Sequence, residues 1–176
     1  MNNPWHSISV GENAPAIVTT VIENNKSCKG KYEMHKESGL IMLDRVLSSS
    51  MRYPANYGFI PQTYCGDKDP LDILVISQVD MPQMCIAQAR VLGVIEMIDG
   101  GEVDDKIIAV AENDPHYKQV EELEDLPPHL IAEIKNFFEE YKKLEDKVME
   151  VKEIYGKEKA LEIVKASMKL YQETFK

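Results

Sequence analysis

Hydrophobic and polar positions group into short segments over the first two-thirds of the chain. Apolar and β-branched residues form these segments, and turn formers such as Glu37-Ser38-Gly39 and Asp99-Gly100-Gly101 separate them. Segments of this kind, bounded by glycine and polar residues, are typical of β-strands. The pattern predicts strands at 16–23, 31–36, 40–46, 71–77, 87–98 and 106–112. We expect these strands to form a small antiparallel barrel.

The last third of the chain changes to a helical period. After Pro127-Pro128, apolar residues recur three and four positions apart over 130–144, as they do on one face of a helix. The segment 148–155 indicates a further strand, and the apolar positions of 161–175 predict a terminal helix. The two patterns together predict an α+β fold, with the barrel first and the helices mostly in the C-terminal half.

Composition is that of an ordinary globular protein. The chain has 176 residues, of which 44% are apolar and 28% are charged, and no repeat or flexible linker divides it. We therefore expect a single domain spanning residues 1–176. The formal net charge of -10 leaves no general basic surface for a phosphate backbone or an anionic membrane, so neither nucleic acid nor a membrane is an expected partner.

The sequence also indicates a cytoplasmic location. The N-terminus lacks the pattern of a signal peptide, and no apolar run approaches the roughly 18 residues of a membrane span. The three cysteines, Cys28, Cys65 and Cys85, are odd in number and not closely spaced, which favours reduced thiols.

The densest chemical signal is the loop Gly66-Asp67-Lys68-Asp69-Pro70-Leu71-Asp72, which directly precedes an apolar strand. Carboxylates this close repel one another unless solvent or cations screen them. Pro70 favours an extended residue before it and a shaped turn. The loop lacks the glycine and the closing glutamate of an EF-hand. Taken alone, it is also typical of a solvated acidic turn.

Two further segments place a carboxylate and an amine side by side. The two-residue period of a strand predicts that Asp104 and Lys106 share one face, and that Lys31 and Glu33 share another. Each pair taken alone is also typical of a surface ion pair. Tyrosines in the turn-rich segment 52–60 can cap a core, or can bind phosphate oxygens together with an arginine upstream.

The combination points to metal-assisted phosphate chemistry. Oxygen ligands without histidine or cysteine companions suit Mg²⁺ or Mn²⁺, and Mg²⁺ commonly binds a few carboxylates together with substrate phosphates. Lys31, Arg45 and Lys106 would then neutralise phosphate oxygens. The sequence contains neither a P-loop nor a nucleophilic-serine motif that would indicate a different chemistry.

These residues make the chain resemble the soluble family I inorganic pyrophosphatases of the short prokaryotic type. The resemblance is carried by GDKDPLDILV at 66–75, KYE at 31–33, YPANYGFI at 53–60 and FFEEYKKLE at 137–145. It implies an OB-like five-stranded antiparallel β-barrel flanked by two main helices. It also implies Mg²⁺-dependent hydrolysis of diphosphate to two orthophosphates, in which a metal-bridged water attacks phosphorus in line, and a homohexameric assembly.

The same resemblance implies a set of site residues, position by position. The metal ligands would be Asp67, Asp72, Asp99 and Asp104. The catalytic residues would be the general base Asp69 and its hydrogen-bonding partner Tyr57. The substrate phosphates would be bound by Lys31, Arg45, Tyr57, Lys106, Tyr141 and Lys142. Supporting cavity residues would be Glu23, Glu33 and Tyr53.

Two other functions stay open from the sequence. The first is a non-catalytic OB-type binding module whose acidic loops hold structural cations. The second is a two-metal phosphohydrolase that acts on nucleotides. One departure from the family pattern also bears on the site: Lys68 stands between two signature aspartates, where relatives often carry a small or neutral residue. We expect this lysine to alter the local charge of the loop.

Overall fold

A computed structural model describes residues 3–147 and 149–176. The strands are β1 (Ile17–Asn24), β2 (Gly30–Met34), β3 (Ile41–Val46), β4 (Asn56–Phe59), β5 (Asp72–Ile76), β6 (Ile86–Asp99), β7 (Glu102–Val103), β8 (Lys106–Ala111) and β9 (Met149–Gly156). The α-helices are α1 (Pro4–Ser7), α2 (Pro128–Glu140) and α3 (Lys157–Phe175). Short 3-10 helices lie at Pro115–Tyr117, Leu123–Asp125 and Lys143–Glu145. The predicted strand at 148–155 begins at Val148, which lies outside the described residues, and its remainder corresponds to β9.

Five of these strands close a ring within the part of the chain that the structure describes. β1 pairs with β4, β4 with β5, β5 with β8, β8 with β6, and β6 returns to β1. The β5–β8 pairing is parallel, which the predicted antiparallel pattern did not include, and the other pairings of the ring are antiparallel. β9 pairs with β6, and β2 and β3 form a separate hairpin. The predicted α+β class and its five-stranded barrel with flanking helices are confirmed.

The ring strands are buried on both faces, because each face packs against its own apolar cluster. Leu74 of β5 belongs to a cluster that includes Phe137 and Phe138 of α2. Its neighbours along the strand belong to a second cluster, which includes Val164 of α3. This explains why the strands read as nearly continuous apolar runs instead of alternating ones.

The two long helices follow the predicted pattern with one correction. α2 begins at Pro128, where the missing N–H of proline costs no hydrogen bond. The predicted apolar face extended to Leu144, but α2 ends at Glu140, and Leu144 lies in a 3-10 turn with 70% of its surface exposed. Among the described residues, no helix combines the length and the apolar character needed to cross a membrane.

The segment 52–60 differs most from its prediction. It was predicted to be turn-rich, yet residues 56–59 form the buried strand β4, which links β1 to β5 in the ring. Gly58 permits this pairing, because a Cβ at that position would lie 1.9 Å from the Val21 carbonyl oxygen. Tertiary packing therefore overrides the local turn composition here.

Candidate active site

A cavity of about 590 Å³ opens at the end of the ring where β5 and β8 begin and β6 ends. Most of the predicted site residues line it: Glu23, Lys31, Glu33, Tyr57, Asp67, Asp69, Asp72, Asp99, Asp104, Lys106, Tyr141 and Lys142. These residues come from separate stretches of the chain, and the fold brings them to one place. A cavity lined by convergent carboxylates and amines is suited to a small, highly charged ligand.

The parallel pairing of β5 with β8 creates the centre of the cavity. Its register sets Asp72 opposite Lys106. The Lys106 ammonium lies 2.7 Å from Asp72 Oδ2 and 2.8 Å from Asp104 Oδ1, which confirms the predicted shared face of Asp104 and Lys106. Burial by itself lowers the pKa of Lys106, but the two carboxylates outweigh that effect, and the pKa is raised. Lys106 is therefore a fixed positive charge.

Backbone hydrogen bonds shape the acidic loop before β5. The Asp69 amide donates to Asp67 Oδ1 at 3.0 Å, and the Cys65 amide donates to the Asp69 carbonyl at 2.9 Å. Lys68 lies between the two aspartates with a φ of 70°, in the left-handed region. Burial, with repulsion from neighbouring carboxylates including Asp72, raises the pKa of Asp67 to about 6. A nearby cation would stabilise the ionised form of this carboxyl group.

Tyr57 connects the aromatic core to the carboxylates. Its hydroxyl donates to Asp72 Oδ2 at 2.6 Å, and its ring lies 5.6 Å from the Lys106 ammonium. Burial raises the pKa of Tyr57 well above the ordinary value, and the negative charge of Asp72 adds to the shift. The phenol therefore stays protonated and acts as a hydrogen-bond donor.

The β2–β3 hairpin supplies a second group of charges. Lys31 Nζ lies 2.8 Å from Glu33 Oε2, which confirms their predicted shared face. Lys31 also lies 3.2 Å from Asp44 Oδ2, and Arg45 Nη1 lies 2.6 Å from the same oxygen. The register places Lys31 opposite Arg45 and Tyr32 opposite Leu43, so Asp44 is an extra residue in the pairing. Such a bulge re-aims a side chain, and here it sets Asp44 between two cations.

Arg45 and Tyr53 do not line the cavity, although the resemblance assigned them to it. Arg45 Nε lies 2.8 Å from Glu145 Oε2, and its buried Nη2 has no hydrogen-bond partner among the residues described. Tyr53 lies under the cavity wall, with its ring centroid 5.4 Å from that of Tyr57 and 4.9 Å from that of Phe137. Tyr53 therefore supports Tyr57 by packing.

Glu23 is a buried carboxyl group at the wall of the cavity. It lies where the β1–β4 register shifts between Ile22 and Asn24, and its Oε1 accepts a hydrogen bond of 2.7 Å from the Met34 amide. Burial raises the pKa of Glu23 to about 8, and the negative charge of Asp72 contributes. In the metal-free chain, the Glu23 carboxyl group is therefore mostly protonated near neutral pH.

The end of α2 brings two more predicted residues to the cavity. The Lys142 ammonium lies 2.5 Å from Asp99 Oδ2 at the end of β6. Tyr141 is buried, and burial raises its pKa, so its hydroxyl keeps its proton. The ring of Tyr141 stacks on Phe137, with centroids 4.8 Å apart. Tyr141 is thus both a core residue, as its spacing predicted, and a cavity residue, as the resemblance implied.

The sequence did not single out three charged residues that contact the site. They are Lys36, which forms an ion pair with Asp69, Asp44 between Lys31 and Arg45, and Glu145 beside Arg45. If strand alternation continued without interruption, Lys36 would point to the face opposite to Lys31, and Asp44 to the face opposite to Arg45. The alternation fails because β2 ends at Met34 and because a bulge interrupts the hairpin. No local signal in the sequence marks either break.

The donor set fits a hard divalent cation. The carboxylates of the cavity offer only oxygen ligands, which suit Mg²⁺ or Mn²⁺. The pKa of Asp67 is raised first by burial and then by neighbouring carboxylates, and a cation would offset both effects. Within residues 3–147 and 149–176, no group of three or more histidine, cysteine or acidic side chains is already arranged as a metal cluster. In the chain by itself, the Lys106 ammonium instead contacts Asp72 and Asp104.

The chain is similar in sequence and in architecture to inorganic pyrophosphatases. The family model described as inorganic pyrophosphatase matches residues 20–172. Soluble inorganic pyrophosphatase 2 of Chlamydomonas reinhardtii is 48% identical over 174 residues, which are 99% of this chain and 91% of the relative. Soluble inorganic pyrophosphatase 1 of Arabidopsis thaliana is 48% identical over 171 residues, which are 97% of this chain and 81% of the relative.

Solved structures of two bacterial inorganic pyrophosphatases match this chain over nearly its whole length. The inorganic pyrophosphatase from Thermus thermophilus has a TM-score of 0.94 and 36% identity, and the match covers 97% of this chain and 99% of that chain. The enzyme from Helicobacter pylori has a TM-score of 0.90 and 40% identity, covering 95% and 99%. The predicted resemblance, and with it the prediction of an enzyme, is confirmed: this chain belongs to the inorganic pyrophosphatase family.

Proposed function

We propose that this chain hydrolyses inorganic diphosphate to two orthophosphates and that it requires Mg²⁺, with Mn²⁺ as an alternative. One observation carries the proposal: carboxylates suited to divalent ions and amines suited to phosphate line the same cavity in a member of this family. A site for structural cations alone does not need the lysines and tyrosines. A compact cavity dense in charge favours diphosphate over a nucleotide.

Four aspartates of the cavity would hold the metal ions: Asp67, Asp72, Asp99 and Asp104. Mg²⁺, when bound, lowers the pKa of a water molecule to yield a nucleophile and neutralises phosphate oxygens. Asp67 and Asp72 are on the acidic loop and at the start of β5, whereas Asp99 and Asp104 flank the β6–β8 connection. Two separate loops therefore contribute ligands.

Asp69 would act as the general base. Its amide is held by Asp67 and its carbonyl by the Cys65 amide, so its carboxylate is presented to the cavity from an ordered turn. It would accept the proton of the water that attacks phosphorus in line with the departing phosphate. Tyr57 would keep Asp72 oriented beside this centre through its 2.6 Å hydrogen bond.

Basic and phenolic groups of the cavity would bind the two phosphates: Lys31, Tyr57, Lys106, Tyr141 and Lys142. Arg45 would join them only by turning away from its Glu145 contact, because it lies outside the cavity lining. The raised pKa values of Lys31 and Lys106 keep both ammonium groups charged. The protonated phenol of Tyr141 can donate a hydrogen bond to a phosphate oxygen, whereas Tyr57 can do so only when its single proton turns away from Asp72. Glu23, Glu33 and Tyr53 would support these groups, Glu33 through its 2.8 Å contact with Lys31.

The family resemblance also leads us to propose a homohexamer located in the cytoplasm. Both stay predictions. Neither is needed for the proposed chemistry, since every residue assigned to it comes from this chain.

Phosphate release from a panel of substrates tests the proposal. With Mg²⁺ present, we expect release from diphosphate, little from ATP and none from a phosphomonoester, and EDTA should abolish it. Asp69→Asn and Asp72→Asn should each lower kcat by about 100-fold or more, because each removes a carboxylate of the reacting centre. Asp80→Asn is the matched control, since Asp80 is exposed and outside the cavity lining. A wild-type protein that binds Mg²⁺ but releases no phosphate from diphosphate would contradict the proposal.

A further inference from the structure

Lys36 lies at the rim of the cavity, two residues after β2 ends. Its ammonium forms an ion pair with Asp69 Oδ1 and donates a hydrogen bond of 3.3 Å to the Lys68 carbonyl oxygen. Among the residues that the structure describes, Lys36 is the only basic side chain in an ion pair with Asp69. One side chain from the β2–β3 hairpin thus holds two consecutive residues of the acidic loop.

The loop needs such support because of its backbone. Lys68 has a φ of 70°, a conformation that brings the Cβ of any residue except glycine close to its own backbone. The loop's own hydrogen bonds run from the Lys68 amide to the Cys65 carbonyl at 3.1 Å and from the Cys65 amide to the Asp69 carbonyl at 2.9 Å. Lys36 adds a contact from outside the loop to the carbonyl of the left-handed residue.

The surroundings of Lys36 hold it in this orientation. Its own carbonyl accepts a 2.6 Å hydrogen bond from the Asn3 side chain, and its ammonium lies 5.9 Å from the Trp5 ring centroid. Trp5 is buried, and its indole N–H donates to the Thr63 carbonyl at 2.8 Å. The aromatic ring therefore limits where the lysine head can go.

The ion pair with Asp69 does little for overall stability. The side chains of Lys36 and Asp69 are 51% and 48% exposed, and ion pairs this accessible contribute little to folding. We propose that Lys36 is a positioning residue, which holds the Asp67-Lys68-Asp69 turn and the Asp69 carboxylate in the orientation that hydrolysis requires. This inference rests on the proposed function, in which Asp69 is the general base.

Steady-state kinetics of three variants test the inference. Lys36→Met keeps an unbranched side chain, one atom shorter, and removes the charge, and we expect kcat for diphosphate to fall about 10- to 100-fold with KM nearly unchanged. Lys36→Arg should recover most of kcat, because a guanidinium can reach both the Asp69 carboxylate and the Lys68 carbonyl oxygen. Lys152→Met is the matched control. Like Lys36, Lys152 forms an ion pair with an exposed carboxylate, that of Glu150, but it lies on β9 and outside the cavity lining. It should leave kcat unchanged.

Amide hydrogen exchange of the metal-free protein gives an independent measurement. In Lys36→Met, the amides of Cys65, Lys68 and Asp69 should exchange faster than in the wild type, whereas those of β5 and β8 should not change. Lys152→Met should leave the loop amides unchanged. This measurement needs no substrate, so it tests the positioning role even if the wild type releases no phosphate, the result that would contradict the proposed function alone.

Three outcomes would overturn the inference. A rise in KM at constant kcat would make Lys36 a phosphate-binding residue. A loss of kcat that Lys36→Arg does not restore would mean that the positive charge is not what matters. Unchanged loop exchange in Lys36→Met would show that the turn keeps its order without the lysine.

Discussion

At the scale of single residues, the site depends on interruptions of regular strand structure. Asp44 is the extra residue of the β2–β3 bulge, and Glu23 lies at the register shift between β1 and β4. The strand period predicted the Lys31–Glu33 and Asp104–Lys106 pairs correctly, because the members of each pair are two positions apart and the extra residue of the bulge is on β3, not on β2. It could not predict the position of Asp44, since one inserted residue moves a side chain to the other face.

Glu23 leads to a prediction about pH. Its pKa of about 8 in the folded chain lies above the ordinary value of 4.5, so folding takes up a proton between these values. The stability that the protonated carboxyl contributes is complete below pH 4.5 and is lost as the pH rises through about 8. We expect the free energy of unfolding of the metal-free wild type to fall with pH in this window, by up to about 1.4 kcal/mol per pH unit from this group.

Glu23→Gln isolates this effect. The glutamine keeps an oxygen that can accept the Met34 hydrogen bond, but it does not titrate. Urea unfolding of both proteins from pH 5 to pH 8 should show a steeper decline for the wild type. Other groups titrate equally in both proteins, so parallel pH dependences would refute the assignment of a raised pKa to Glu23.

At the scale of elements, β4 shows where local composition misleads. Tyrosine, proline, asparagine and glycine in the segment 52–60 favour turns, yet residues 56–59 pair with β1 on one side and β5 on the other. The pairing aligns Tyr57 with Leu74 and so carries the Tyr57 hydroxyl to Asp72. The neighbouring strands decide this structure, because β4 is stable only as a member of a closed ring.

Gly58 should therefore be intolerant of a side chain. The Cβ of Gly58→Ala would approach the Val21 carbonyl to 1.9 Å, and backbone atoms cannot move aside easily. We expect a loss of about 1–3 kcal/mol in the free energy of unfolding, or failure to fold. Gly66→Ala is the control, because a Cβ at Gly66 would meet nothing within 4 Å. Equal unfolding midpoints in urea for the two variants would show that β1 and β4 are not this close.

At the scale of the whole molecule, the arrangement of charge matters more than its total. The net charge of -10 disfavours phosphate ligands in general, yet buried amines in the cavity provide local positive charge. Lys106, which is 2% exposed, lies between carboxylates from two different loops. The metal-free fold thus depends on an internal cation that screens the two carboxylates proposed as metal ligands.

Lys106→Met tests this dependence. Without the ammonium, Asp72 and Asp104 lose their shared partner, and we expect the metal-free protein to lose about 3 kcal/mol of stability. Added Mg²⁺ should stabilise Lys106→Met more than the wild type, because a bound cation restores the missing positive charge. Thermal unfolding in EDTA and in Mg²⁺ measures both effects, with Lys152→Met as the control. Equal stabilisation of wild type and Lys106→Met by Mg²⁺ would argue against the proposed metal ligands.

The sequence by itself determined most of the strands, the two long helices, the inventory of carboxylates and amines, and membership of the family, because these depend on local period and on motifs. Only the tertiary structure decided that β5 lies parallel to β8, which sets Asp72 opposite Lys106, and that Lys36 reaches Asp69. Arg45 likewise meets Glu145 across 100 residues of chain. The physical reason is that contacts between distant residues follow from strand pairing and register, which local sequence patterns do not specify.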